Sequence, residues 1–565
     1  MKSLYLLGLL GWLLLKPLAV ACGAEGPSKP QDYRRTPNPF RLLADQWTPY
    51  PPPPTAYTLE FLRTADEETA AVTLREAILI GLENNPGIAV DRLDPFRTAE
   101  ETMVEKSVFD PALALEFKKE LEIDPRGTRG GTAFSATLVR TRDRDYNLSL
   151  KKLLRTGTQL EISFLNNRHI SSFPTQVLKP EYRPHLGFSL LQPLLRDFGL
   201  GLTTIFVRIA ENREGISTLD YRTRLSSLIQ RITEAYWAIV FARENLEVQK
   251  KGVELAQALL QGAEARVRAG VLPPVAVTEA QAEKARREES VIIAENDLEI
   301  ARTNLRLTLN FNPKSTFFPR RIEPADSPSL FHLEIDRATT LETALARRPE
   351  VLSANLNVQN QALQVRHAEN QLLPRLDLKA GAGLTGLGGQ LKPGPDTNPF
   401  PGNYSTALDR LGSGKYYDYS VGVVLQLPLG NAQAKSRFAQ ARIGLDQATA
   451  RQRDLVSQVT LEVEKALRDI EANFKRIQTT ALARELADEN LQAQEKRFQV
   501  GLVTQKDVID FQSRFLEARG AELRAIIDYN NSLSRLKLAE GTLLDHYNVR
   551  VEGPKKESDP WWARF

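Results

Sequence analysis

The chain has 565 residues, with 74 Lys+Arg against 70 Asp+Glu and a net charge of +4. So small an imbalance gives no reason to expect nucleic acid or another polyanion as a partner. A charged fraction of 25%, a mean hydropathy of −0.32 and the absence of any apolar run of about 18 residues beyond the N-terminus exclude a polytopic helical membrane protein.

Residues 1–21 read as an export signal: Lys2, an apolar run from Leu4 to Leu15, then Ala19, Val20 and Ala21 before a cleavage site. Cys22 follows directly and is the only cysteine, so neither an intrachain disulfide nor a cysteine metal cluster can form. A lone Cys here resembles the lipidated first residue of bacterial lipoproteins, although Ala19 stands where those usually carry Leu. Lipidation of Cys22 and ordinary cleavage after Ala21 or Ala24 are the two readings. Residues 22–72 form a proline-rich leader, with Pro51 to Pro54 consecutive, a composition that favours extended polyproline segments.

From Thr73 the chain reads as two copies of one plan, 73–311 and 336–541, with a linker at 312–335 and a tail at 542–565. Each copy opens on a helical pattern, TLREAILIGLENNPGI in the first and LETALARRPEV in the second, which places Leu82 over Leu345 and Pro86 over Pro349. A period of two follows, about 112–192 and 375–428. The alternating sets are Leu113/Leu115/Phe117, Tyr146/Leu148/Leu150, Leu160/Ile162/Phe164 and Leu186/Phe188/Leu190, then Leu376 to Leu384 and Tyr417 to Leu427. Such strands suit a half-buried sheet or a membrane barrel with apolar-out and polar-in faces. The short turn Arg155 to Thr158 between two of these sets predicts more than two strands in the first copy. The polar stretches 124–144, 166–184 and 386–415 read as long loops.

Each β region ends on a proline and a leucine, Pro193-Leu194 and Pro428-Leu429, before a very long helix, Thr203–Ala269 or Ala432–Val500. Leu225, Leu228, Ile232, Ala235, Ile239, Ala242 and Leu246 mark a heptad seam that continues through Val253, Ala256, Leu260, Ala263 and Val267. The second copy repeats it 231 residues later at Val459, Val463, Ala466, Ile470 and Ile477, then Ala487, Leu491 and Phe498. Segments 254–271 and 485–502 align without a gap and share Glu254/Glu485, Leu260/Leu491, Arg266/Arg497 and Gly270/Gly501. At 1.5 Å per residue each helix is about 100 Å long. A rod of that length belongs to a coiled coil or to a barrel of helices.

Residues Gly381 to Gly386 match G-x-G-x-x-G, but no helix opens there to receive a pyrophosphate, and small residues in a strand explain them better. The five histidines are scattered, and no Walker or nucleophile-elbow motif appears. No catalysis and no cofactor or metal are expected.

Together the T-L-x-x-A-I start with Asn85-Pro86, the run Gln192-Pro193-Leu194-Leu195, and the turns Arg268-Ala269-Gly270-Val271 and Val500-Gly501-Leu502 resemble the TolC-like outer-membrane efflux protein family. The resemblance implies a mainly α, internally duplicated fold with a membrane β part. Three chains would close one β-barrel in outer-membrane lipid and continue it as a periplasmic α-helical barrel. A homotrimer of this kind would serve as a passive export duct, meeting a periplasmic adaptor and an inner-membrane pump at its helical tip. Tip turns at Arg266, Ala269, Gly270, Val271, Arg497, Val500, Gly501 and Leu502 would contact the adaptor, and the choice of cargo would sit largely in the pump. Asp507 and Asp510, six and nine residues after Gly501, would form the gate, with Ala276 and Glu279 at the corresponding places in the first copy. A competing reading makes Asp507 the N3 partner of an N-cap at Thr504. A structural periplasmic coiled coil without channel activity accounts for the heptads but not for strands inserted in both copies.

Overall fold

The computed structural model describes residues 69–130, 133–173, 176–310, 321–331, 335–391, 400–551 and 553–554. The export signal, Cys22, nearly all of the leader and the end of the tail lie outside the described residues.

The first copy starts with a capped helix. Thr73 accepts the Glu76 amide while the Glu76 carboxylate accepts the Thr73 amide, so two of the orphan donors of α1 (Leu74–Asn84) are satisfied. The helical pattern is broken at Asn85, which sits in the extended region ahead of Pro86, as sterics demand of a residue before proline. The pattern resumes as α2 (Pro86–Asp91) and α3 (Asp94–Ser107). Arg348 before Pro349 breaks the second copy in the same way, between α7 (Arg337–Arg347) and α8 (Pro349–Asn370).

The sheet is larger than the alternating sets alone indicated. Its path is β2 (Ala112–Gly130), β3 (Ala133–Leu153), β4 (Gln159–Ser171), β5 (Leu178–Pro193), β7 (Arg375–Thr385) and β9 (Tyr417–Gln426), all antiparallel neighbours. The first copy thus supplies four strands, and the turn at 155–158 is a hairpin. The expected loops are corrected. Residues 124–130 and 133–144 continue β2 and β3 in unbroken register to Gly130↔Ala133. Leu121, Ile123 and Leu138 keep the alternation going on one face beneath a polar majority. The 166–184 stretch is mostly β4 and β5, and 386–415 contains β8 (Gly388–Leu391), paired with β5, and α9 (Tyr404–Gly412).

Both β regions pass to helix through left-handed turn residues, Asp197 and Gly199 in one, Gly430 and Asn431 in the other. The long helices follow: α5 (Ile205–Arg268) with its returning α6 (Val275–Leu309), and α10 (Ala432–Gln499) with α11 (Gln505–Ala539). No described helix is long and apolar enough to cross a membrane.

The main core sits midway along α5. Leu225, Leu228, Ile232, Ile239, Ala242 and Leu246 are buried there against Ile78 and Ile80 of α1, Leu305 and Leu309 of α6, and Leu543 of α12 (Leu543–His546). The end of the leader and the linker close it as a parallel pair, β1 (Thr69–Val72) with β6 (Arg321–Pro324). Tyr236, fully buried, donates to Val72 O (3.0 Å) or Asp326 Oδ2 (3.1 Å) and accepts from the Asp326 amide (3.0 Å). Burial pushes its hydroxyl up to about 12, so it stays a neutral donor.

The second core repeats the first with the same offset: Val459, Val463, Ala466, Ile470, Tyr529 and Leu536 stand over Leu228, Ile232, Ala235, Ile239, Leu298 and Leu305. One exchange conserves volume. A Cβ on Gly81 would lie 2.4 Å from Ile232 Cδ1. In the second copy Ala344 and Val463 stand at these places, in one buried cluster, so the methyl has moved from one helix to the other. Gly81→Ala should therefore lower thermal stability, by about 1–3 kcal/mol for overpacking. Adding Ile232→Val should recover most of that loss; a double variant no more stable than the single one would contradict this packing.

Candidate functional site

Two regions are the candidates, the turns that end the long helices and the sheet. At the tip both long helices end in the same Schellman motif. Val271 N–H reaches Arg266 O (2.9 Å) and Gly270 N–H reaches Val267 O (3.0 Å). Leu502 N–H and Gly501 N–H repeat this to Arg497 O (2.9 Å) and Phe498 O (3.1 Å). Both glycines have positive φ, +74° and +80°, the left-handed position this cap needs. The turns leave Val271, Val500 and Leu502 at least 70% exposed, an apolar surface at the end of each hairpin. Ala269 and Arg497 are also exposed.

The copies are stitched together just behind the turns. Arg266 donates to Phe498 O (2.9 Å), its guanidinium carbon 4.2 Å from the Phe498 ring centroid. Gln505 Nε2 donates to Ala276 O (2.9 Å) inside the packing. Buried Glu283 accepts from Arg287 (2.7 Å) and Arg286 (3.2 Å), and Arg287 extends across to Ser513 on α11. Phe498, Leu259 and Val508 form a small core there.

After the turn the copies diverge. The first continues through Pro273 and Pro274 into α6 without a side-chain cap. In the second, Thr504 caps α11 in a reciprocal box: Thr504 Oγ1 accepts the Asp507 amide (3.3 Å), and Asp507 Oδ2 accepts the Thr504 amide (2.8 Å) and hydroxyl (2.7 Å). These bonds hold the Asp507 carboxyl below the usual range. Asp510 and Glu279 are exposed and make no hydrogen bond or ion pair among the described residues.

The sheet has two unlike faces. On one, Leu115, Leu148, Phe164, Leu186, Leu384 and Tyr417 follow each other from strand to strand, with Leu113, Leu150, Ile162, Phe188, Ala382 and Tyr419 in the next row. The opposite face is polar. His185 there lies across Gly383, where a Cβ would stand 2.4 Å from its Nε2, and meets Asp418 at 3.1 Å. The glycines of the G-x-G-x-x-G match are thus explained by packing, and Gly386 abuts the Ala407 carbonyl.

The model of the outer membrane efflux protein family matches residues 201–310 and 340–542. The chain belongs to that family. Membership places it in the outer membrane, in a family of efflux proteins rather than enzymes. Outer membrane protein TolC of Escherichia coli is 25% identical over 346 residues, 59% of this chain and 65% of TolC. The alignment therefore spans less than two thirds of that relative. The outer-membrane channel OprN superposes with a TM-score of 0.59 at 18% identity, covering 83% of this chain and 90% of OprN. The CmeC outer membrane channel of Campylobacter jejuni gives 0.56 at 16% identity, covering 83% and 86%. These structures share the fold of this family member.

The cap defines a pH dependence. Because the folded Asp507 carboxyl titrates below its ordinary value of 3.8, its stabilisation is complete above that value and is lost as pH falls through the lower, folded one. Amide exchange at residues 505–508 should quicken over that acid window, and Asp507→Asn should abolish the dependence. Thr504→Ala should speed the same amides about fivefold at neutral pH, the scale of a lost N-cap. Unchanged exchange would show that the box does not hold this helix end.

Proposed function

We propose that this protein is a passive duct through the outer membrane and periplasm, built by three copies of the chain. The observation that carries the reading is the six-strand sheet, apolar on one continuous face, leading in both copies into helices of about 100 Å. In hydrocarbon every backbone amide needs a partner, so the free edges β2 and β9 must pair. Starting from the helical end, β2 runs outward and β9 returns, so β9 of one copy meets β2 of the next antiparallel. Three six-strand paths then close a barrel of eighteen strands, a size that leaves an aqueous lumen in porins. The apolar face turns to lipid and the polar face lines the lumen. A coiled coil without channel activity gives such a sheet no role.

At the other end, the exposed turns at Val271, Val500 and Leu502 form the surface for a periplasmic adaptor, and through it an inner-membrane pump supplies the cargo. Asp510 is the principal gate carboxylate, with Asp507 beside it at i,i+3 and Glu279 as the nearest counterpart in the first copy. Threefold symmetry crowds these carboxylates around one axis, which attracts cations and suits a cation-selective constriction. The capping bonds of Asp507 leave Asp510 as the freer of the pair.

Purified protein added to a planar bilayer should give cation-selective single channels blocked by divalent cations. Asp507→Ala with Asp510→Ala should raise conductance several-fold and weaken the block at least tenfold, Asp510→Ala alone carrying most of the change. Unaltered conductance, selectivity and block in the double variant would remove these residues from the gate. A chain that forms no channels would remove the duct.

A further inference from the structure

The lipid-facing side of β2, β3 and β4 changes character partway along. Leu113, Leu115 and Phe117 on β2 are followed on the same face by Lys119, and Leu150, Leu148 and Tyr146 on β3 by Arg144, Arg142 and Arg140. The register sets Lys119 opposite Arg144, and Arg144 opposite Arg168 of β4, a row of three cations across adjacent strands. Like charges directly opposed destabilise a sheet. No carboxylate relieves them: that face carries none from Leu113 to Pro125, Leu138 to Leu150, or Leu160 to Ile170. The acidic residues of the hairpin, Glu120, Glu122, Asp143 and Asp145, alternate onto the opposite face. Lys119, Arg140, Arg142 and Arg144 are exposed and form no ion pair among the described residues, while Arg168 stacks 5.9 Å over the Tyr182 ring.

Their height identifies what they meet. Lys119 lies seven residues beyond Ala112, and Arg140 pairs with Ile123, eleven residues beyond it. At about 3.4 Å per residue and a tilt of roughly 40°, the cations span about 18 to 29 Å above the start of the strands. The outward apolar band of such barrels is about 25 Å tall, so the cluster straddles its outer boundary. Phe117 and Tyr146, packed edge to face with centroids 5.8 Å apart, lie on the same face directly below Lys119 and Arg144, within the apolar band.

We propose that Lys119, Arg140, Arg142, Arg144 and Arg168 form a binding surface for the phosphate groups of an anionic lipid of the outer leaflet. Three arginines stepping along one strand can each grip a phosphate bidentately, and the apolar band beneath receives the acyl chains. This rests on the barrel reading above, because only a membrane barrel puts that face against lipid.

The test uses the full-length trimer in detergent, with native mass spectrometry counting bound lipid. Diphosphorylated lipid A should bind at least tenfold more tightly than its dephosphorylated form, and equimolar inorganic phosphate should not displace it. Arg140→Gln, Arg142→Gln and Arg144→Gln together should abolish the preference, and the corresponding lysine substitutions should retain much of it. Equal binding of the two lipids by the unaltered chain would overturn the proposal without reliance on any variant. Displacement by free phosphate would also overturn it, as a free-anion site. Bilayer recordings on the same preparation separate the two readings: channels without a phosphate preference refute the lipid site alone, and no channels refute the duct.

Discussion

A helix of about 100 Å cannot be stabilised by its own hydrogen bonds; it needs an apolar stripe buried along most of its length. In this chain the stripe is continuous in α5, from Leu225 through Ile239 and Leu246 to Ala256 and Ala263, all buried. Much of the rest of the protein covers it. The short helices α1 and α3, the parallel β1–β6 pair and the returning α6 all pack on α5. The second copy uses the same solution more sparsely: α10 buries Val459, Val463, Ala466 and Ile470 at mid-length, then Leu491 and Phe498 near the tip.

That difference has a structural meaning. Within one chain the returning helix α11 packs on α5, so α5 is covered from both sides. In the proposed trimer, the equivalent pairing by internal symmetry would set α6 against α10 of another copy. Apolar residues stand ready on those two helices: Ile292, Ile300 and Leu307 on α6, Leu461 and Leu482 on α10, all about half exposed or more. The sheet makes the same demand through its unpaired edges. Under the proposed trimer, helices and strands would both be completed by one ring of copies, each copy supplying one complete joint and two half joints.

The positions of the long helices were legible in the sequence to within a few residues, because the heptads, the Pro-Leu transitions and the turn glycines are local signals of known physical meaning. The hairpin β3–β4 was legible from the turn at 155–158. The outer halves of β2 and β3 were not, since 124–144 read as a polar loop when only apolar alternation is counted. There the faces are sorted by charge sign rather than by polarity, arginines to one side and carboxylates to the other, and only the register makes that visible. At the tip, Thr504 and Asp507 were recognisable as a capping box. The Arg266–Phe498 and Gln505–Ala276 links were not, because they join residues 232 and 229 positions apart through backbone carbonyls, which carry no side-chain signal.

The central claim is that three copies close one barrel through all six long strands, β9 of one against β2 of the next. Electron cryo-microscopy of the full-length protein in lipid nanodiscs tests it directly. A threefold-symmetric ring of eighteen strands continuous with the helical barrel is the expected result. A ring of twelve with the β2–β3 hairpin standing outside it, or a sheet with open edges, would contradict it.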